Sequence, residues 1–194
     1  MTSKGKQLCS TLLFAAAFVG AGCQQAPTPP AAPTHEEMVT RGEYLVTIIG
    51  CNDCHTPLKM GPNGPEADMA RMLAGHPEEV KLPPPPKLRP DPNGWNSVAY
   101  NASAFAGPWG ITYPINLTPD ENTGIGVWTE EMFIKTIRNG RHMGGEARPI
   151  QPPMPWSWYS KMTDEDLKAI YAYLRTIPAI VNHVPEYQEP PTPK

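Results

Sequence analysis

The chain has 194 residues, a net charge of −3 and 40% hydrophobic residues, which suits one modest domain. Its 26 prolines and 16 glycines make up about 22% of the sequence, against roughly 12% on average. That excludes a chain built mostly of regular helix or sheet, because each proline fixes φ and removes a backbone donor. Five Trp, seven Tyr and four Phe exclude simple disorder. The balance is mildly acidic and holds no Lys/Arg cluster, which excludes a basic nucleic-acid binder. Long irregular segments need an organiser, and a cofactor is the first candidate.

The N-terminus reads as an address. Lys4 and Lys6 form a positive start, and residues 8–22 are almost wholly apolar or small. The run is shorter than the ~20 residues a membrane-spanning helix needs, so 1–22 is expected to be a signal peptide. It ends in Gly20-Ala21-Gly22-Cys23, which resembles a bacterial lipoprotein signal with Cys23 as the acylated residue. Ordinary signal cleavage nearby is the alternative. Residues 23–34 hold four prolines in twelve positions, a stiff tether reaching roughly 37 Å at ~3.1 Å per residue. From Cys23 onward, 14 basic and 19 acidic residues leave a charge of −5.

A helix is expected from Thr34. Thr34 and Glu37 fit a capping box. Met38, Gly42, Leu45 and Ile49 repeat at near-helical spacing. Gly42 costs this helix ~1 kcal/mol relative to Ala, and close approach of another helix is the expected return. The helix should run directly into Cys51. There stands Cys51-Asn52-Asp53-Cys54-His55. C-x-x-C-H is the attachment signature of c-type haem: two thiols add to two vinyl groups, and the adjacent imidazole turns to the iron. A thioredoxin-like site would want a βαβ setting, and structural zinc would want a second pair of ligands. Neither is present in the sequence. One motif implies one haem c.

Further along, a short helix over 66–74 with Gly75 as its stop is an option, and 83–86 should be polyproline II. A second helix should start at the cap Thr129, with the stripe Phe133, Ile134 and Ile137, a staple from Trp128 onto Phe133, and a stop at Asn139-Gly140. A third should start at Thr163 and carry Leu167, Ile170, Tyr171, Leu174 and Ile177, with Pro178 ending it. The tail 185–194 is Pro-rich and expected to be mobile. No alternating pattern longer than a few residues marks a strand.

The sixth iron ligand decides between a carrier and an open site. Met60, Met69, Met72, Met132 and Met162 are explained by packing, capping or surface, and Met143 beside His142 competes as a ligand. Met154 stands apart in Pro152-Pro153-Met154-Pro155-Trp156, where prolines restrict the backbone and lower the entropy lost on ordering. Trp156 and Trp158 could cover the haem edge. A plain buried methionine is the alternative for Met154. His35, His76 and His183 read as surface or satisfied histidines, and His142 is the substitute ligand to test.

Three segments carry a resemblance: GCNDCHTP at 50–57, NLTPDENTGIGVWTEEMF at 116–133 and PPMPWSWYSKMTDEDLKAIYAYLRTIP at 152–178. Their order and content resemble class I c-type cytochromes, and more narrowly the cytochrome c proteins and subunits serving periplasmic dehydrogenases. The resemblance implies an all-α cytochrome c fold over 35–184, with a long Pro/Gly-rich loop inserted between the haem motif and the axial Met. It implies His55 and Met154 as axial ligands and Cys51 and Cys54 as thioether donors. It implies that the first and last helices cross with Gly42 near Tyr171, and that 116–119 lies near the haem. His55 and Met154 are 99 residues apart, a longer span than in small members of the class, with the extra chain mainly in 56–114. Many relatives carry two or three haem motifs, and this chain has one. The implied function is electron transfer, not catalysis. Electrons would pass from a periplasmic dehydrogenase or quinol-oxidising complex to an oxidase or another cytochrome. The protein would be exported and anchored to the membrane through Cys23. A haem-based ligand sensor, a catalytic haem protein and a docking subunit of a dehydrogenase stay open.

Overall fold

The structure is a computed structural model and describes residues 31–84, 96–145 and 147–190. The expected signal peptide, the Cys23 lipid site and most of the tether lie outside the described residues, as do two prolines of the 83–86 run. The described residues from Pro33 onward form one unit.

Among the described residues the helix signals resolve into five α-helices: α1 (His35–Ile48), α2 (Cys51–His55), α3 (Glu130–Asn139), α4 (Trp156–Tyr159) and α5 (Asp164–Leu174). Thr34 and Glu37 make the complete capping box on α1, with the Glu37 carboxylate accepting from the Thr34 amide at 2.7 Å. Thr129 and Thr163 cap α3 and α5 by accepting from Met132 N and Asp166 N. Gly140, left-handed at φ 64°, ends α3. The first helix does not run unbroken into Cys51. Gly50 sits at φ 74° between α1 and α2 and turns the haem-motif helix away from α1. A left-handed residue in this turn favours glycine.

The all-α expectation is wrong. The long insertion is partly sheet, so the fold is mixed. Strands β1 (Leu58–Gly61) and β2 (Gly64–Ala67) pair antiparallel, with Leu58 opposite Ala67. Strands β3 (Ser97–Val98), β4 (Phe105–Gly107) and β5 (Gly110–Thr112) form a second antiparallel sheet in that order. Pro62-Asn63 and Pro108-Trp109 are the two-residue links of the β1–β2 and β4–β5 hairpins. Prolines in turns, which argued against regular structure, here close hairpins. The expected helix over 66–74 is replaced by the end of β2 and a 3-10 turn, Met69–Arg71. The tail is held at least as far as Gln188, whose backbone exchanges hydrogen bonds with Ile111 at 2.9 and 3.0 Å.

Helices α1 and α5 cross, and α3 packs on α5. The core joins Leu45 and Val46 of α1, Phe133 and Ile137 of α3, and Leu167, Ile170 and Leu174 of α5. Leu73 and Ile125, fully buried, enter this core from loops. Trp128 and Met162 pack against the same cluster, as a staple requires. The loops are held by buried side chains rather than by ladders. Asn182 donates to the carbonyls of Ala74 and His76 at 2.7 and 2.8 Å, and Asn116 donates to the carbonyl of Ile180 at 2.7 Å. Such bonds satisfy backbone groups that irregular buried chain would otherwise orphan. No helix among the described residues is long and apolar enough to cross a membrane.

The crossing depends on Gly42, against Ala169 and Tyr173 rather than Tyr171. A Cβ at Gly42 would lie 2.0 Å from the Ala169 carbonyl oxygen and 2.7 Å from the Tyr173 Cβ. The nearest of these atoms belong to backbone, so the helices would have to separate. Gly42→Ala is expected to lower holoprotein stability by about 3 kcal/mol, overriding the ~1 kcal/mol gain in helix propensity. Chemical denaturation of the two proteins checks this, and an unchanged or higher midpoint contradicts so close a crossing.

Candidate haem site

Helix α2 is one short turn, and it sets the thiols and the imidazole. Cys51 and Cys54 stand three apart, which puts them on one helical face. The turn is fixed at its C-terminal end. Thr56 Oγ1 donates to Asn52 Oδ1 at 2.8 Å and accepts from Leu73 N at 2.9 Å. Gly75 N donates to the His55 carbonyl at 2.8 Å.

His55 is buried, and its Nδ1 contacts the carbonyl oxygen of Ile115 at 2.8 Å. A carbonyl only accepts, so Nδ1 carries the proton and the Nε2 lone pair is free. Burial pulls the His55 pKa down to about 4, against the smaller raising effect of the Ile115 bond. The ring is neutral at pH 7, as a metal ligand must be. Cys51 and Cys54 are free thiols. Burial, and then the Asp53 charge, pushes the Cys51 pKa up to about 12 and raises that of Cys54.

All four residues singled out by sequence, Cys51, Cys54, His55 and Met154, line one cavity of about 340 Å³. Most of the remaining wall is apolar, including Ile49, Ile115, Leu117, Phe133 and Ile137. The Met154 loop is fixed on both sides. Ile150 N donates to the Gly140 carbonyl at 2.8 Å, and the Pro155 carbonyl accepts from Trp158 N at 3.0 Å. Tyr159 of α4 lines the cavity and donates to the Ile49 carbonyl at 2.8 Å, joining this loop to the end of α1. The competing methionine, Met143, is exposed, as are Met60 and Met69.

Other expectations fare less well. Trp156 and Trp158 do not line the cavity. Trp156 lies over Gly140, and Trp158 is 77% exposed. Of the segment 116–119, Leu117 lines the cavity with its neighbour Ile115, while the Asn116 side chain is spent on Thr123, Ile180 and Thr118. Sequence reasoning missed Thr112, Tyr113 and Arg148 in the wall. Arg148 had a signal, a lone cation shortly before the Met154 loop. His142 also lines the cavity, and burial, then the Arg148 charge, lowers its pKa to about 4.

The donor set fits haem c. Two thiols on one turn, a neutral imidazole beside them and a thioether share an apolar cavity within the ~300–1,000 Å³ range of cofactor sites. Among the described residues, no group of three His, Cys, Asp or Glu side chains could hold a bare metal ion.

No protein-family model matches the chain. Comparison with curated proteins finds relatives. The fructose dehydrogenase cytochrome subunit of Gluconobacter japonicus is 31% identical over 160 residues, 82% of this chain and 25% of that protein. The gluconate 2-dehydrogenase cytochrome c subunit of Pantoea cypripedii is 30% identical over 139 residues, 72% of this chain and 23% of that protein. The cytochrome c subunit of the quinone alcohol dehydrogenase of Gluconobacter oxydans (strain 621H) is 29% identical over 138 residues, covering 71% and 21%. The chain spans about a quarter of the length of these relatives. The match covers most of this chain, and the paired thiols and neutral imidazole give it chemical content: over that length the protein is similar to the cytochrome c subunits of dehydrogenases.

Proposed function

We propose that this chain is an electron carrier with one covalent haem c. Cys51 and Cys54 would hold the haem through thioether bonds, and His55 and Met154 would ligate its iron. The observation that carries this reading is the shared cavity of these four residues. When bound, the group supplies a reversible one-electron ferric/ferrous couple. The chain's part is to hold and to shield. The Ile115 carbonyl orients the imidazole, the apolar wall limits water at the iron, and the pinned loop presents Met154.

The names of the relatives support a dehydrogenase as the electron donor. The acceptor is an oxidase or another cytochrome. We further propose that 1–22 is removed on export, that 23–34 tethers the domain on the periplasmic side through a lipidated Cys23, and that 35–184 is the redox domain. The protein itself catalyses no substrate reaction.

The test is haem content, carbon monoxide binding and oxidation by ferricyanide of the purified protein. One haem per chain, slow carbon monoxide binding to the reduced form and fast ferricyanide oxidation are expected. Rapid carbon monoxide binding would favour a ligand-sensing or catalytic haem with a labile sixth site. More than one haem per chain would overturn the single-motif count.

A further inference from the structure

A haem carries two propionate carboxylates, and a carboxylate entering an apolar wall needs a cation or donors to meet it. We propose that Arg148 and Thr112 form the anchor for a propionate at one edge of the cavity. The inference rests on the haem reading above and concerns residues that reading does not use.

Thr112, the last residue of β5, lines the cavity. Its Oγ1 is buried and has no hydrogen-bond partner. A buried hydroxyl left unpaired costs about 1–3 kcal/mol, so a ligand group is its natural partner. Arg148 lines the same cavity, with its guanidinium carbon 5.9 Å from the centre of the Tyr187 ring. Among the described residues, no carboxylate lies within ion-pair distance of Arg148. Both line one cavity, and their chain neighbours meet. Ile111, next to Thr112, pairs with Gln188, and Tyr187, next to Gln188, lies under Arg148.

Two polar side chains of the neighbouring 116–119 segment are occupied elsewhere. Asn116 and Thr118 bond to each other and to the Ile180 carbonyl. Asp53, also in the lining, is a carboxylate in α2 between the two cysteines and offers a propionate no donor. His142 is neutral at pH 7 and brings no cation. A ligand carboxylate at the β5 edge therefore meets one guanidinium and one free hydroxyl. That is the charge-assisted pairing arginine makes best.

The experiment compares holoprotein variants Arg148→Gln, Arg148→Lys and Thr112→Val, with Lys59→Gln as a charge control outside the cavity. Each is read by midpoint potential, by the propionate bending frequency in resonance Raman spectra, and by mass for haem attachment. Loss of positive charge beside the site favours the ferric state, so Arg148→Gln lowers the midpoint and shifts the propionate mode. Arg148→Lys restores part of both, and Thr112→Val shifts the mode with a smaller fall in midpoint. Lys59→Gln matches wild type. If Arg148→Gln and Thr112→Val both keep the wild-type midpoint and propionate mode, the anchor is refuted. If Arg148→Gln fails to mature, Arg148→Lys and Thr112→Val decide by the same readouts. Titrations repeated with added phosphate separate a free anion from a propionate. A phosphate-dependent midpoint in wild type, lost in Arg148→Lys, would assign the pair to free anions and overturn the proposal. A wild-type chain without haem overturns the functional reading instead.

Discussion

Replacing Cys51 and Cys54 together by alanine is expected to give a chain with no cooperative fold. The cavity these thiols line measures about 340 Å³ and borders the core through Phe133 and Ile137. At about 24 cal/mol per Å³, a dry void of that size would cost about 8 kcal/mol, an upper bound because water can enter an open site. A domain of this size has roughly 5–15 kcal/mol of stability in total. The empty site alone therefore consumes most of the margin. The loops make the case stronger. The segments carrying Ile115, Leu117, Ile150 and Met154 all face the cavity, and they lie outside regular helix and strand. They have no ladder to fall back on when the wall loses its filling. Far-ultraviolet circular dichroism and thermal unfolding of the haem-free variant make the test. Expected are reduced helicity, a broad transition and rapid proteolysis. A monomeric haem-free protein with a sharp thermal transition would show that the helices suffice, and would remove the organising role assigned to the cofactor.

The same physics explains what could be read from sequence. The caps at Thr34, Thr129 and Thr163 were legible because each places a hydroxyl at a fixed offset from the amide it satisfies. That Cys51, Cys54, His55 and Met154 share one cavity fits the sequence signals, a spacing that haem attachment needs and prolines that flank Met154. The hairpins were not. Their strands run two to four residues, less than an alternating pattern needs to stand out. The turn signals Pro62-Asn63-Gly64 and Pro108-Trp109-Gly110 were there, but such prolines were weighed against regular structure. Leu73 and Ile125 stand in loops, so no periodicity marks them as core. The Ile115 carbonyl that orients His55 has no side-chain signature at all. Thr112 and Arg148 line the cavity from segments with no periodic signal, and Ile111 beside Thr112 pairs with Gln188 across 77 positions of sequence.

Met154→Ala is the second large effect expected, and it falls on the redox chemistry rather than the fold. Met154 is half-buried in a loop whose neighbours Ile150 and Pro155 carry the anchoring backbone bonds. Truncating its side chain leaves those bonds intact, so the variant should mature and stay folded. A thioether ligand raises the potential of a haem relative to other sixth ligands. Its loss should therefore lower the midpoint and remove the weak far-red band of a ferric iron–sulfur bond. Carbon monoxide should then bind the reduced variant much faster than the wild type. His142 gives the variant a second course. It lines the same cavity, and burial and the Arg148 charge keep its ring neutral and able to coordinate. A low-spin spectrum without the far-red band would mean that His142 has taken the vacant position, and adding His142→Ala should convert it to high spin. A far-red band that survives Met154→Ala would sink the assignment. Met143, exposed beside the cavity residue His142, would become the ligand to test, at the cost of moving its turn inward.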